Sequence, residues 1–200
     1  VKKAFRVSEI EARDTYKLLS GLIVPRPIGW IGTMRSDGVK NLAPYSFFNM
    51  IADEPPLVMF AAGKRNGQLK DSAAYAIESG EFSVNIVSAE VVEAMNATSR
   101  SFPPDVDEFE ECGLTAWFGT ETGAPMVAEA PANLECKVYS TVDFEGDESP
   151  VVIFGEVVAI HVREDVLDGT RVDHAALDAI GRLAGAGYAT TRDGFDLLRP

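Results

Sequence analysis

Strand-length runs rich in apolar residues occupy 28–34 and 39–48, a continuous apolar run occupies 57–62, and alternation marks Phe82, Val84 and Ile86. The first two runs flank Ser36-Asp37-Gly38, and an Asp-Gly step between apolar runs predicts a hairpin, because both residues tolerate positive φ. Pro44 lies inside the second run and removes a ladder donor. That run is therefore expected at an edge, at a bulge or as two short pieces. Asp53-Glu54-Pro55-Pro56 predicts a rigid turn before 57–62, a run fit for a buried strand. The alternation at 82–86 predicts a half-buried strand. Further strands are expected at 114–118, 133–143 and 151–162, the last two joined by a turn over 143–150. A helix is expected over 8–20, where Ser8 and Glu11 fit a capping box. Another is expected over 68–79, where Leu69, Ala73, Ala76 and Ile77 form one stripe and Gly80 stands just past the end. Shorter helices suit 88–98 and 172–180. Residues 100–111 contain Pro103-Pro104 and the acidic run 105–111 and read as a solvated loop, and 181–200 reads as an irregular tail.

About six strands with helices between them, and no regular alternation of strand and long helix, disfavour a doubly wound parallel sheet. The expected fold is mainly β with inserted helices: one domain over 1–200, an antiparallel barrel preceded by a helical segment at 1–20.

Composition narrows the function. Eighteen basic against 31 acidic side chains leave a net charge of −13, which argues against a nucleic-acid or anionic-membrane binder. The charge is unevenly spread: residues 1–70 carry 11 basic and 6 acidic side chains, and residues 71–200 carry 7 and 25. Cys112 and Cys136 form neither a disulfide framework nor a zinc signature, and there is no signal core or apolar span, so a reduced, cytoplasmic protein is expected. His161 falls in an apolar strand and His174 at a helix start; both read as structural or surface residues.

No GxGxxG, GxxxxGK[ST] or GxSxG pattern occurs. Two segments carry chemistry instead. In Gly63-Lys64-Arg65-Asn66-Gly67-Gln68-Leu69-Lys70-Asp71-Ser72 a basic loop follows a strand and opens a helix. Unpaired N–H groups at a helix start favour an anion, and Lys64, Arg65, Lys70 and Ser72 are candidate phosphate ligands; the alternative is a solvated turn. Asn41-Leu42-Ala43-Pro44-Tyr45-Ser46-Phe47-Phe48-Asn49 combines aromatics with small hydrogen-bonding side chains. It suits either the wall of a flat heteroaromatic ligand or an edge strand whose aromatics enter the core.

Six segments, in order, resemble the flavin reductase-like, FMN-binding split-barrel family: 24–33 (VPRPIGWIGT), Asp37-Gly38, 41–49 (NLAPYSFFN), 55–60 (PPLVMF), Lys70-Asp71-Ser72 and 80–85 (GEFSVN). The tail Gly181-Arg182-Leu183-Ala184-Gly185-Ala186-Gly187-Tyr188 is similar to the family's closing segment, with Ala184 where a Gly is common. The resemblance implies a Greek-key split barrel that binds FMN, usually as a homodimer with flavin near the subunit interface. By that resemblance Trp30 to Thr33 and Tyr45, Ser46, Phe47 and Asn49 line the flavin ring, and Lys64, Arg65, Lys70 and Ser72 hold its phosphate. Asp71 is a helix cap or a neighbour of the phosphate.

The reading that follows is an FMN-dependent oxidoreductase. It takes hydride from NADH or NADPH to flavin N5 and passes electrons to a small-molecule or protein acceptor. The flavin carries the chemistry, so no catalytic side chain is assigned. The alternatives are an electron-transfer or flavin-carrier protein without nicotinamide turnover, and a flavin-free interaction module on the same barrel.

Overall fold

The computed structural model describes residues 1–198; Arg199 and Pro200, the end of the expected tail, lie outside the described residues. Seven strands form its main sheet: β1 (Gly29–Met34), β2 (Lys40–Tyr45), β3 (Phe48–Asp53), β4 (Pro56–Gly63), β5 (Glu81–Ile86), β6 (Ala132–Asp143) and β7 (Pro150–Val162). Their order across the sheet is β2-β1-β5-β6-β7-β4-β3, antiparallel at every step. The helices are α1 (Ala12–Leu22), α2 (Asp71–Ser79), α3 (Val92–Ala97), α4 (Glu108–Glu111) and α5 (His174–Leu177). None of them is long and apolar enough to cross a membrane.

Strands β2 and β3 are the two opposite edges of this sheet, yet only Ser46 and Phe47 join them. Three Cα steps reach at most about 11 Å, so the sheet curls until its edges nearly meet. Across the gap the rings of Tyr45 and Phe60 lie 5.2 Å apart. The Phe48 ring rests on Gly29, where a Cβ would come within 2.5 Å of it. The result is a split barrel with Greek-key connections, as expected. The run broken by Pro44 becomes both an edge strand and two pieces, β2 and β3. The β1–β2 hairpin turns at Gly38, with φ +94°.

The barrel interior is filled by Ile31, Val58, Phe60, Phe82, Val84 and Ile153, with Ala73 and Ala76 of α2 closing one side. A second cluster, built from Trp30, Leu42, Val87, Met95, Phe109 and Val127, covers the outer face. Strands β1 and β5 are therefore buried on both faces. That corrects the half-buried reading of β5: Ser83 and Asn85 are as buried as Phe82 and Val84. Their polarity is satisfied locally. Asn85 donates to the Trp30 carbonyl (2.9 Å) and accepts from the Val127 N–H (2.8 Å). A buried polar group with its partners in place is compatible with a core.

Three further expectations change. The capping box does not form, because a 3-10 turn takes up Val7–Glu9 and α1 starts at Ala12 with no side-chain cap. The stretch 100–111 is not wholly solvated: Asp107 caps α4 by accepting from the N–H groups of Phe109 and Glu110, and both Glu108 and Phe109 are buried. The tail is not irregular throughout. Ile180–Arg182 pairs with Arg26–Pro27 on one side and Tyr188–Thr190 on the other. Arg26 anchors this corner, its buried guanidinium donating to the carbonyls of Ser20 (2.6 Å), Ile23 (2.7 Å) and Leu183 (3.1 Å).

Candidate functional site

The loop after β4 and the first turn of α2 face the segment 98–102 across a cleft of about 300 Å³. Its floor is β2. Helix α2 starts here because Lys70 has extended backbone and its carbonyl accepts from the N–H groups of both Ala73 and Ala74. The N–H groups of Asp71 and Ser72 are left at the mouth, as at any helix start. Asp71 is the first helical residue and not the cap, a position where a carboxylate suits the helix dipole.

The floor is held from behind. Asn41 Nδ2 donates to Ser72 Oγ (2.8 Å) and Thr33 Oγ1 (3.2 Å). Thr98 accepts from Trp30 Nε1 at 2.9 Å and donates to the Met95 carbonyl. Burial pushes the Tyr45 hydroxyl up to about 12, against a hydrogen bond with Ser72, so it stays a neutral donor at physiological pH. Cations gather at the rim. Arg65 donates to Ser101 Oγ at 3.0 Å, and Arg100 lies over the Phe102 ring, 4.9 Å from its centroid. None of Arg65, Lys70 and Arg100 has a carboxylate partner among the described residues.

Of the residues singled out from the sequence, Tyr45, Arg65, Lys70 and Ser72 line this cleft, with Asp71 beside them. Lys64 does not. It pairs with Asp143 at 2.5 Å and is turned toward the β6–β7 hairpin. Trp30 and Thr33 are fully buried, so their side chains stand behind the cleft and cannot form its wall. The cause is the second cluster, which covers the outer face of β1. Ser46, Phe47 and Asn49 lie beyond the cleft, at the split between the barrel edges, with Phe47 half-exposed and Asn49 exposed. Sequence reasoning missed Asn41, Thr98, Arg100 and Glu108. Asn41 was within a quoted segment, but nothing linked it to Ser72. Arg100 sits in a stretch whose prolines and acids suggested a loop.

Glu108 also reaches the cleft. It is 7% exposed, its Oε2 accepts from the Leu42 N–H at 3.2 Å, and burial pushes its carboxyl up to about 7. Elsewhere, Glu135 is enclosed beneath the loop 119–122. Burial pushes its carboxyl up, but His161 and the N–H groups of Thr122 and Glu121 outweigh that and hold it below the usual range. His161 is thereby placed as a structural residue, with Trp117 edge-on to its ring.

The cleft thus offers an anion end, an apolar wall of Pro44 and Tyr45, and buried hydroxyl and amide groups between them. Residues 20–179 match the model of the flavin reductase like domain. The chain belongs to that family. Nitrilotriacetate monooxygenase component B from Bacillus cereus is 34% identical and superposes with a TM-score of 0.95, covering 98% of this chain and 99% of that one. The 2-nitrobenzoate 2-nitroreductase NbaA of Pseudomonas fluorescens is 32% identical with a TM-score of 0.90, over 99% and 96% of the two chains. An NADH-dependent FAD reductase from Streptomyces globisporus is 30% identical over 117 residues, 56% of this chain and 57% of its own. Within the flavin reductase like family this chain is a flavin-dependent oxidoreductase, and the cleft residues fit the phosphate and polar chain of a flavin.

Proposed function

We propose that the cleft binds flavin mononucleotide with its phosphate among Arg65, Lys70, Arg100 and the start of α2, and that the protein reduces this flavin with NADH or NADPH. The observation that carries the reading is the set of three cations with no carboxylate partner among the described residues, around the buried Asn41–Ser72 pair. Charge-assisted bonds from such groups to phosphate oxygens are strong, and helix-start N–H groups add to them. Bound there, a flavin supplies hydride acceptance at its N5 and onward electron transfer. The chain's own residues bind and orient. Tyr45 and Pro44 would wall the bound flavin, and Ser46 and Phe47 at the split would flank it. Nothing in this arrangement requires a protein acid or base, and proximity does the work.

Anaerobic titration with NADH and then NADPH tests the reading. Protein loaded with FMN is expected to bleach near 450 nm with one of them. Persistent colour with an excess of both identifies a flavin carrier or electron-transfer protein, and failure to take up FMN at all removes the flavin site. We further propose that the chain works as a homodimer. Phe47, Met50 and Ile51 expose apolar surface beside the split, and apolar groups gathered in this way mark contact surfaces. Sedimentation equilibrium at a single-chain mass would overturn that.

A further inference from the structure

Glu108 and Asp71 are the two cleft residues whose charge opposes the ligand just assigned, and Glu108 is the more buried of them. It is nine-tenths buried. Its Oε2 accepts from the Leu42 N–H, its own backbone N–H also lies against the carboxylate, and no cation pairs with it among the described residues. The groups around it are mostly acidic or neutral. From β2 come Tyr45 and Lys40, but the Lys40 ammonium pairs with Asp107 at 2.5 Å. From α2 come Asp71 and Tyr75, from α4 and its end Asp107 and Cys112, and from the facing segment Arg100. Asp71 and Glu108 each open a helix, where the N-terminal N–H groups favour a carboxylate, but Glu108 is the more deeply buried and α4 is a single turn. An ionised carboxylate here is buried without a cation, the arrangement that most strongly favours a bound proton.

We propose that Glu108 couples occupancy of the cleft to protonation, so that the phosphate-bearing ligand and one hydrogen ion bind together. The inference rests on the reading of the cleft as the flavin phosphate site. A phosphate entering beside Glu108 adds like charge in a weakly screened cavity and raises the carboxyl's affinity for a proton further. Protonated, Glu108 stops repelling the ligand, and its carboxyl adds a hydrogen-bond donor to the cleft lining. The direction follows. Free Glu108 is already divided between its two forms near neutrality, because burial places its midpoint at about 7. Occupancy moves the midpoint up. Affinity is then highest below neutral pH and falls as pH rises through the free and then the bound midpoint.

The test is isothermal titration of the apoprotein with FMN at pH 7.5 in two buffers of different ionisation enthalpy, for the wild type and Glu108→Gln. The wild type is expected to take up roughly half a proton more than the variant, and its Kd to rise up to about tenfold more between pH 7 and 8. The phosphate's own titration is common to both proteins and cancels in the comparison. Gln keeps the acceptor for the Leu42 N–H. If the variant nevertheless misfolds, the carboxyl 13C resonance titrating near neutrality in glutamate-labelled wild type is followed with and without FMN, and an upward-shifted midpoint is expected. Equal proton counts, or an unmoved midpoint, overturn the inference while leaving the flavin site standing. Failure of both proteins to bind FMN overturns the site and the inference together.

Discussion

Lys64 and Lys70 bracket one basic loop, and the structure gives them different partners. Lys64 neutralises Asp143, and Lys70 faces the cleft with no carboxylate of its own among the described residues. Lys40, a third basic residue nearby, is committed to Asp107. Replacing Lys70 with Ala should raise the Kd for FMN about tenfold, the scale of one charge-assisted bond. Lys64→Ala and Lys40→Ala should leave it within about twofold, and fluorescence quenching on titration with FMN reads all three. Lys40-like weakening at position 70 would remove Lys70 from the site. Glu108 has a consequence for the apoprotein as well. Its carboxyl sits at about 7 in the folded state against 4.5 for the unreacted group. Its share of stability is therefore complete below the unfolded value and declines as pH rises through 7. The decline amounts to about 3 kcal/mol at about 1.4 kcal/mol per unit. Urea unfolding at pH 5 and pH 8 should show that loss in the wild type and most of it removed in Glu108→Gln.

At the scale of elements, Glu135 ties the loop 119–122 to β6. Its carboxylate accepts from the N–H groups of Thr120, Glu121 and Thr122, the Thr122 hydroxyl and His161. A Cβ on Gly119 would fall 1.9 Å from Glu135 Oε1, so the loop closes over the carboxylate only because that residue is glycine. Glu135→Gln is expected to cost about 2–3 kcal/mol in urea unfolding at pH 7, since a buried set of donors loses its charged acceptor. The sign with pH is opposite to that of Glu108. A carboxyl held low stabilises above its unfolded value and loses that contribution as pH falls through its folded value, so the gap between wild type and variant should shrink in acid. Neither role could be read from the sequence. The residues of 133–143 carry no sign that Glu135 is enclosed, because its donors come from a loop more than ten residues upstream and from His161 on β7. The alternation in β5 misled for the same reason: period 2 reports which residues share a face, not whether the far face is covered by 125–127. What was legible was local. Gly38 at a turn, Gly80 ending α2 in the left-handed region and Pro44 at an edge follow from backbone sterics alone. The basic loop and the Tyr45 segment were also legible as chemistry. Their meeting in one cleft depends on the sheet curling, and the split between Lys64 and Lys70 depends on a hairpin eighty residues later.

Across the whole molecule, charge and apolar surface are separated. The cations that face the ligand come mainly from the first third of the chain, and the acidic excess of residues 71–200 lies in the later strands and loops. The excess keeps the surface soluble, while binding rests on a few local charges. FMN affinity should therefore fall with added salt by little more than the screening of an exposed rim explains; a loss of several orders of magnitude between 50 and 500 mM salt would contradict a site built on buried partners.

The two residues that carry the chain from one edge of the sheet to the other act as a fastener that is not part of the fabric. The strand ladders on either side are complete without a covalent bond between Ser46 and Phe47: β2 is paired along β1, and β3 along β4. A circular permutant opened between those residues would keep every ladder and yet be free to unroll. Far-ultraviolet circular dichroism should look native in such a protein, and its FMN affinity should drop, because Tyr45 and Phe47 would no longer be held in fixed relation. The curvature of the barrel, and with it the alignment of its ligand-facing parts, depends on the shortness of a single step in the chain.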